Sequence, residues 1–120
     1  MKSCPTYYAN ICVGLRPAYN QHITNTELNG MRKHAFNLCQ NYCDEVGLGL
    51  TFTETNYIYT DGNEPGLIIG LINYPRFPKD KQDIHNNSQE LGKILLKELE
   101  QERLSIIYPD VTIMIEKHDL

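Results

Sequence analysis

The segment 73–78 (Asn-Tyr-Pro-Arg-Phe-Pro) places an arginine and an aromatic ring among two prolines. Because proline fixes its own φ angle, we expect a stiff loop that presents the Phe77 ring and the Arg76 guanidinium at fixed positions. A flat ring stacks on a nucleobase, and a guanidinium pairs its N–H groups with phosphate oxygens. The pattern therefore predicts a site for a base and a phosphate. The alternative is that Phe77 fills the core and Arg76 is an ordinary surface charge.

The tract 86–88 (Asn-Asn-Ser) falls in the first turn of the second predicted helix. A helix N-terminus carries free N–H groups and the positive end of the helix dipole, and both favour an anion. The Asn87 amide can also bond the donor and acceptor edge of adenine. The alternative is that these side chains only cap the helix.

Motifs that would mark an enzyme are missing from the sequence. It contains no nucleophile elbow, no phosphate-binding G-x-x-x-x-G-K loop, no H-E-x-x-H zinc motif and no dinucleotide fingerprint. The four histidines share no spacing, although His85 lies near the proposed site along the chain and is a candidate for acid–base catalysis. The residues therefore predict a protein that binds a ligand without converting it, with no catalytic residue and no cofactor.

The four cysteines are expected to be reduced, buried thiols. Cys39 and Cys43 are one helical turn apart, which is not the C-x-x-C spacing of a zinc site, so no metal is expected. The N-terminal residues lack the apolar stretch of a secretory signal, so a disulfide framework is not expected either. The cytosol is the expected compartment.

Composition and charge narrow the class of partner. The chain has 120 residues, 41% of them hydrophobic and 22% charged, which predicts one globular domain over residues 1–120. No apolar run approaches the length of about 20 residues that a membrane span needs. The net charge of −4 argues against binding of duplex nucleic acid, because that requires a concentrated basic surface. A few arginines can still hold a compact anion.

Hydrophobic periodicity predicts the elements that position these residues. Alternation over Tyr7–Leu15 indicates a strand with one buried face. A capping box at 24–27 then begins a helix with an apolar stripe, which runs to Val46 and ends at Gly47. A second strand starts at Leu48 and continues to Tyr59.

The second half of the chain continues with a hairpin, a helix and two short strands. The residues 61–66 are dense in turn formers and predict a hairpin, after which an apolar strand from Leu67 to Tyr74 is expected inside the sheet. A second helix carries Ile84, Leu91 and Leu95 on its inner face, and two short strands follow around a turn at 109–110. The order β-α-β-β-α-β predicts a ferredoxin-like α+β fold, an antiparallel sheet with two helices on one face and an extra C-terminal strand.

Two further arginines stand at strand ends. Arg16 follows the first predicted strand, and Arg103 opens the fourth. These strands can lie side by side in a ferredoxin-like sheet, which would let both guanidinium groups share one anion. Each is also compatible with an ordinary surface charge.

Four segments, 13–16, 44–48, 66–78 and 108–114, resemble those of the phage Thoeris anti-defence sponge proteins, and the Asn-Tyr-Pro-Arg-Phe-Pro block is the most specific of them. The resemblance covers nearly the whole chain. It implies a protein of the host bacterial cytosol that sequesters a signalling nucleotide, a cyclic ADP-ribose isomer, and so inhibits Thoeris immunity without cleaving the signal. Some members also hold cyclic oligonucleotides, which implies inhibition of CBASS.

The resemblance also implies an assembly and a set of contacts. The members form homo-oligomers, from dimers up to hexamers, with ligand held between subunits. Carried over by position, Phe77 is the stacking ring, Asn87 reads adenine and Arg103 meets the phosphates. The second family arginine corresponds to Arg16 or, alternatively, to Arg32.

Two other functions stay open from the residues themselves. The first is an enzyme of the same fold, a phosphodiesterase or lyase that acts on a cyclic nucleotide with His85 or His22. The second is a structural or protein-binding module, because the chain has eight tyrosines and tyrosine is favoured at interfaces.

Overall fold

Seven regular elements make up the part of the chain that the computed structural model describes, residues 1–16 and 22–120. In chain order they are β1 (Tyr8–Gly14), α1 (Asn25–Val46), β2 (Thr51–Tyr59), β3 (Gly62–Ile72), α2 (Lys81–Glu98), β4 (Arg103–Ile107) and β5 (Thr112–Glu116). A single 3-10 turn, Lys117–Asp119, follows them. Within the described ranges, neither helix is long and apolar enough to cross a membrane.

The five strands form one antiparallel sheet in the order β2-β3-β1-β4-β5. The first four strands have the order of a ferredoxin-like sheet, and β5 adds to its edge beside β4. The predicted α+β class, the antiparallel sheet and the extra C-terminal strand are therefore confirmed. β3 lies between two partners, as its apolar sequence predicts.

The strand β1 carries the centre of the core. Its alternate residues Ala9, Ile11 and Val13 are fully buried, while the residues between them are half-buried. Both helices cover this one face of the sheet: Ala35 and Cys39 of α1 belong to the same buried cluster as the strand residues and the inner face of α2. Burial of each Ile or Leu side chain contributes about 1.5–3 kcal/mol, which fixes the register of β1.

The ends of α1 follow the predicted signals. The Thr24 hydroxyl accepts a hydrogen bond from the Glu27 backbone N–H at 3.1 Å, which satisfies one of the free donors of the first turn. Gly47 adopts φ 78°, and its N–H donates to the Cys43 carbonyl at 2.8 Å. A residue with a Cβ would be strained in this left-handed conformation, so glycine ends the helix there.

The prediction of a turn over 61–66 is wrong in position. The structure turns at 60–61, with Asp61 at φ 61°, and β3 already begins at Gly62. Pro65 pairs with Asn56 within the ladder. The glycines serve the strand: a Cβ at Gly66 would lie 2.2 Å from the Tyr57 ring, which lies across this position from the neighbouring strand.

The placement of the tract 86–88 in the first turn of the second helix is also wrong. α2 begins at Lys81, and the Asp80 carboxylate caps it by accepting from the Asp83 N–H at 2.7 Å. Asn87 therefore lies in the second turn, where the backbone N–H groups are bonded within the helix. The asparagines therefore do not lie at the free N–H groups of the first turn of α2.

We predict that Gly66→Ala destabilises the protein by about 1–3 kcal/mol, because the new methyl group overlaps the Tyr57 ring and the Val13 carbonyl, 2.7 Å away. Urea denaturation measures this change. The matched control is Gly30→Ala, in an open position on α1, which should stabilise the protein by up to about 1 kcal/mol through helix propensity. Equal stability of Gly66→Ala and wild type would contradict the close packing at β3.

Candidate functional site

A cavity of about 590 Å³ opens beside the end of β3. Its walls are the C-terminal end of α1, the residues 47–51 that lead into β2, the residues 70–72 of β3, the loop that follows β3 and the first half of α2. Most of the lining is apolar, with a few polar groups among aliphatic side chains. Volume and lining are those of a small-molecule site.

The loop between β3 and α2 is held by Asn73. The Asn73 Oδ1 accepts from the Lys79 backbone N–H at 2.8 Å, and its Nδ2 donates to the Pro5 carbonyl at 2.8 Å. Within the loop, the Phe77 N–H donates to the Tyr74 carbonyl at 2.9 Å. One side chain therefore ties the N-terminal segment to both ends of the loop.

The loop presents two aromatic rings to the cavity. Phe77 is 63% exposed and Tyr74 is 50% exposed, and their ring centroids are 6.4 Å apart. The alternative in which Phe77 fills the core is therefore wrong. The Arg76 guanidinium lies 5.3 Å from the centre of the Phe77 ring, at cation–π distance. Both rings are available to a flat or cationic ligand.

Asn87 reaches the same cavity from α2, so the structure brings Phe77 and Asn87 together. The buried Tyr42 hydroxyl donates to the Asn87 Oδ1 at 3.3 Å. Burial, helped by the negative charge of Glu90, raises the pKa of Tyr42 and keeps this phenol a donor. Because the Asn87 Oδ1 accepts from Tyr42, the Nδ2 group of Asn87 is the part of the amide that does not contact the Tyr42 hydroxyl.

The lining also includes Tyr74, Cys43 and Lys79, which were not among the site residues predicted from the sequence. Burial raises the pKa of Cys43, which therefore remains a neutral thiol and adds to the apolar wall. Lys79 is the only charged residue among the described residues that line the cavity. Tyr74 lies within the segment 73–78 and Lys79 follows it directly, so their proximity to Phe77 along the chain was the available signal.

The structure places Arg16 and Arg103 at the other end of the sheet. Tyr8 pairs with Ile72 at the cavity end of β1, and Gly14 pairs with Gly66 six residues further on, about 20 Å away at about 3.3 Å per residue. The β1–β4 register, continued by two residues, puts Arg103 beside Gly14, and Arg16 lies beyond it. Within one chain these arginines are remote from Phe77 and Asn87.

The two arginines do lie at the same sheet end, as their strand positions predict. The Arg16 Nε is buried and has no hydrogen-bond partner among the described residues, and the backbone N–H of Arg16 donates to the Gln101 Oε1 at 3.3 Å. Arg32, the alternative, has its Nε 3.8 Å from a Glu54 carboxylate oxygen. Ligand contacts of Phe77, Asn87, Arg76, Arg16 and Arg103 stay predictions.

His85 belongs to a polar cluster outside the cavity lining. Its ring stacks on Tyr108 with centroids 4.0 Å apart, and its Nε2 is hydrogen-bonded to the Tyr7 hydroxyl. The Asp110 carboxylate accepts from Tyr7 at 3.1 Å and from the Lys81 ammonium at 2.7 Å. The cluster joins the N-terminal segment, α2 and the β4–β5 turn. Within residues 1–16 and 22–120, no group of three potential ligands could hold a metal ion.

No protein-family model and no curated protein matches this chain. Two solved structures do match it. The first, a phage SAM lyase in complex with S-methyl-5'-thioadenosine, has a TM-score of 0.73 at 18% identity, and the match covers 98% of this chain and 95% of the other. The second, a phage SAM lyase in the apo state, has a TM-score of 0.66 at 20% identity, with 92% and 88% covered. The fold of this chain is therefore that of these structures along nearly its whole length.

This comparison overturns the functional prediction from the sequence. The chain was expected to be a non-enzymatic sponge for a cyclic ADP-ribose isomer that inhibits Thoeris or CBASS immunity, and this expectation is wrong, because both structural neighbours are an enzyme that acts on SAM. Of the sequence-based alternatives, the lyase is the better supported. The resemblance to the sponge family, the homo-oligomer and the cytosolic location stay predictions.

We predict that Asp110→Asn lowers the melting temperature at pH 7 and that this difference disappears in acid. The hydrogen bond from the Lys81 ammonium holds the pKa of Asp110 below its ordinary value of 3.8. The stabilisation is therefore complete above pH 3.8 and is lost as the pH falls through the lowered pKa. Thermal denaturation from pH 7 to pH 2 measures it. Asp61→Asn, in the exposed β2–β3 turn, is the control. If Asp110→Asn lowers the melting temperature by the same amount at every pH, the ion pair between Asp110 and Lys81 is not the cause of the stabilisation.

Proposed function

We propose that this protein is a lyase that cleaves S-adenosylmethionine (SAM) and releases methylthioadenosine. The supporting observation is that the apolar cavity brings the Tyr74 and Phe77 rings together with the Asn87 amide, in a fold that follows a SAM lyase along nearly its whole length. The neighbour's bound S-methyl-5'-thioadenosine is the nucleoside part of SAM that remains after its four-carbon amino acid part has left. The proposal transfers this reaction to the present chain.

The reaction makes few demands on catalytic side chains. The sulfur of SAM is a sulfonium, bonded to three carbons and positively charged. When its bond to the amino acid chain breaks, sulfur keeps the electron pair and becomes the neutral thioether of methylthioadenosine, so no acid has to protonate it. The four-carbon fragment leaves as an alkene, after loss of a proton to a base, or as a lactone, after attack by the substrate's own carboxylate. The lactone route needs neither a base nor a nucleophile from the protein, so the absence of such motifs from the sequence is compatible with it.

The cavity suits the nucleoside part of such a substrate. A volume of about 590 Å³ lies within the range of sites for small molecules. The Phe77 ring offers a stacking surface for adenine, and the Asn87 Nδ2 offers a donor to a ring nitrogen. The face of an aromatic ring also attracts a cation, which here is the sulfonium. As charge disappears from sulfur during cleavage, an apolar wall stabilises the neutral product side relative to the charged substrate.

The direct test is incubation of the purified protein with SAM, followed by chromatography and mass spectrometry of both products. We expect methylthioadenosine together with an unhydrated four-carbon product, either the alkene or the lactone. Incubation in ¹⁸O-water distinguishes a lyase from a hydrolase, because a lyase incorporates no label when the product is first released. Unchanged SAM after prolonged incubation with stoichiometric protein would exclude the proposal.

We predict that Phe77→Ala lowers kcat/KM for SAM cleavage about 5- to 150-fold, the loss expected when about 1–3 kcal/mol of stacking is removed. Steady-state kinetics measures it. Phe36→Ala is the matched control, because Phe36 is a similarly exposed phenylalanine on α1 that packs edge-on against Phe52 and does not line the cavity. If both variants keep the wild-type kcat/KM, substrate binds elsewhere.

A further inference from the structure

Lys79 is the one positively charged residue among the described residues that line the cavity. It lies between Pro78 and the Asp80 cap of α2, and among the described residues it is the only charged residue of an otherwise neutral lining. The ion pairs of the described residues do not include it. A lysine that lines an apolar cavity and has no carboxylate partner favours a ligand that brings its own negative group.

The backbone that carries Lys79 is fixed. The N–H of Lys79 donates to the Asn73 Oδ1 at 2.8 Å. The ring of Pro78, the residue before Lys79, fixes the φ angle of Pro78 itself. Asn73 in turn is held by the Pro5 carbonyl. The lysine side chain therefore starts from a defined point on the cavity wall, next to the loop that carries Phe77.

We propose that Lys79 binds the α-carboxylate of the amino acid part of the substrate and thereby sets the direction in which SAM enters the cavity. The inference rests on the proposed function and assigns a second half to the same site: the base lies against Phe77 and Asn87, and the carboxylate lies at Lys79. The two cationic groups of SAM, the sulfonium and the α-amine, are repelled by the ammonium, so only the carboxylate is favoured there.

This arrangement binds the substrate and the nucleoside product differently. SAM carries the carboxylate and methylthioadenosine does not, so the Lys79 contact contributes to the binding of substrate and not to the binding of the nucleoside product. Release of methylthioadenosine is therefore not opposed by this charge pair. The same contact selects against the decarboxylated form of SAM, which keeps the sulfonium and the amine but has lost the group that Lys79 recognises.

Two unreactive thioethers test the inference without turnover: S-adenosylhomocysteine, which has the carboxylate, and S-adenosyl-3-thiopropylamine, its decarboxylated counterpart. Calorimetric titration gives Kd for each. For the wild type we expect S-adenosylhomocysteine to bind at least about tenfold tighter, the range for a hydrogen bond to a charged group. In Lys79→Met this ratio should fall to about one or two. Lys79→Arg, which keeps the charge, should restore most of it.

Lys93→Met is the matched control, because Lys93 is an exposed lysine on α2 that does not line the cavity. It should keep the wild-type ratio, and circular dichroism should show that every variant is folded. Equal Kd values for the two ligands in the wild type, or a ratio that survives in Lys79→Met, would overturn the inference even if SAM is cleaved. If the ratio depends on Lys79 but SAM stays intact, the lyase proposal fails and the carboxylate site stands.

Discussion

The position of β1 between β3 and β4 determines where the loops and the candidate site residues lie in this protein. Its alternate side chains form the centre of the core, so a shift of one residue in its register would expose them. With that register set, Ile72 and the loop after it must lie at one end of the sheet, and Gly14 and the arginines at the other. The cavity and the sheet end that carries Arg16 and Arg103 are therefore separate places on one chain. The residues of both places were expected, from the sequence, to contact one ligand.

The side chains around the cavity loop are coupled to the N-terminal segment. Asn73 bonds both Pro5 and Lys79, while Tyr7, two residues after Pro5, is bonded to His85 and Asp110. The histidine that stood as a candidate for catalysis is thus occupied by structural contacts. Its cluster anchors the N-terminal segment to α2 and to the β4–β5 turn, and the loop that carries Phe77 is built on this anchored segment.

The proposed chemistry explains why an enzyme of this kind leaves few marks in its sequence. A sulfonium is already activated for departure, so the proposed reaction requires of the protein only position, an apolar wall and a counter-charge for the substrate's carboxylate. Such contributions come from leucines, glycines, aromatic rings and one lysine, which are common in any small domain. The sequence contains no nucleophile motif, metal-ligand motif or phosphate loop, and the prediction of a binding protein without activity, which rested on this absence, was wrong.

Local rules in the sequence determined the secondary structure and the class of fold. The strand β1, the ends of α1 at Thr24 and Gly47, and the extra strand β5 follow from side-chain periodicity and from capping, which act over a few residues. The prediction of a turn over 61–66 was wrong because the glycine at 66 makes room for the Tyr57 ring, which comes from a neighbouring strand. Only the tertiary structure decided that Phe77 and Asn87 line one cavity, and that Lys79 lines it too. It also decided that Arg16 and Arg103 lie far from that cavity. The physical reason is that side chains far apart along the chain come together through strand pairing and helix packing, and neither the pairing partner nor the direction of a side chain is written in the local pattern.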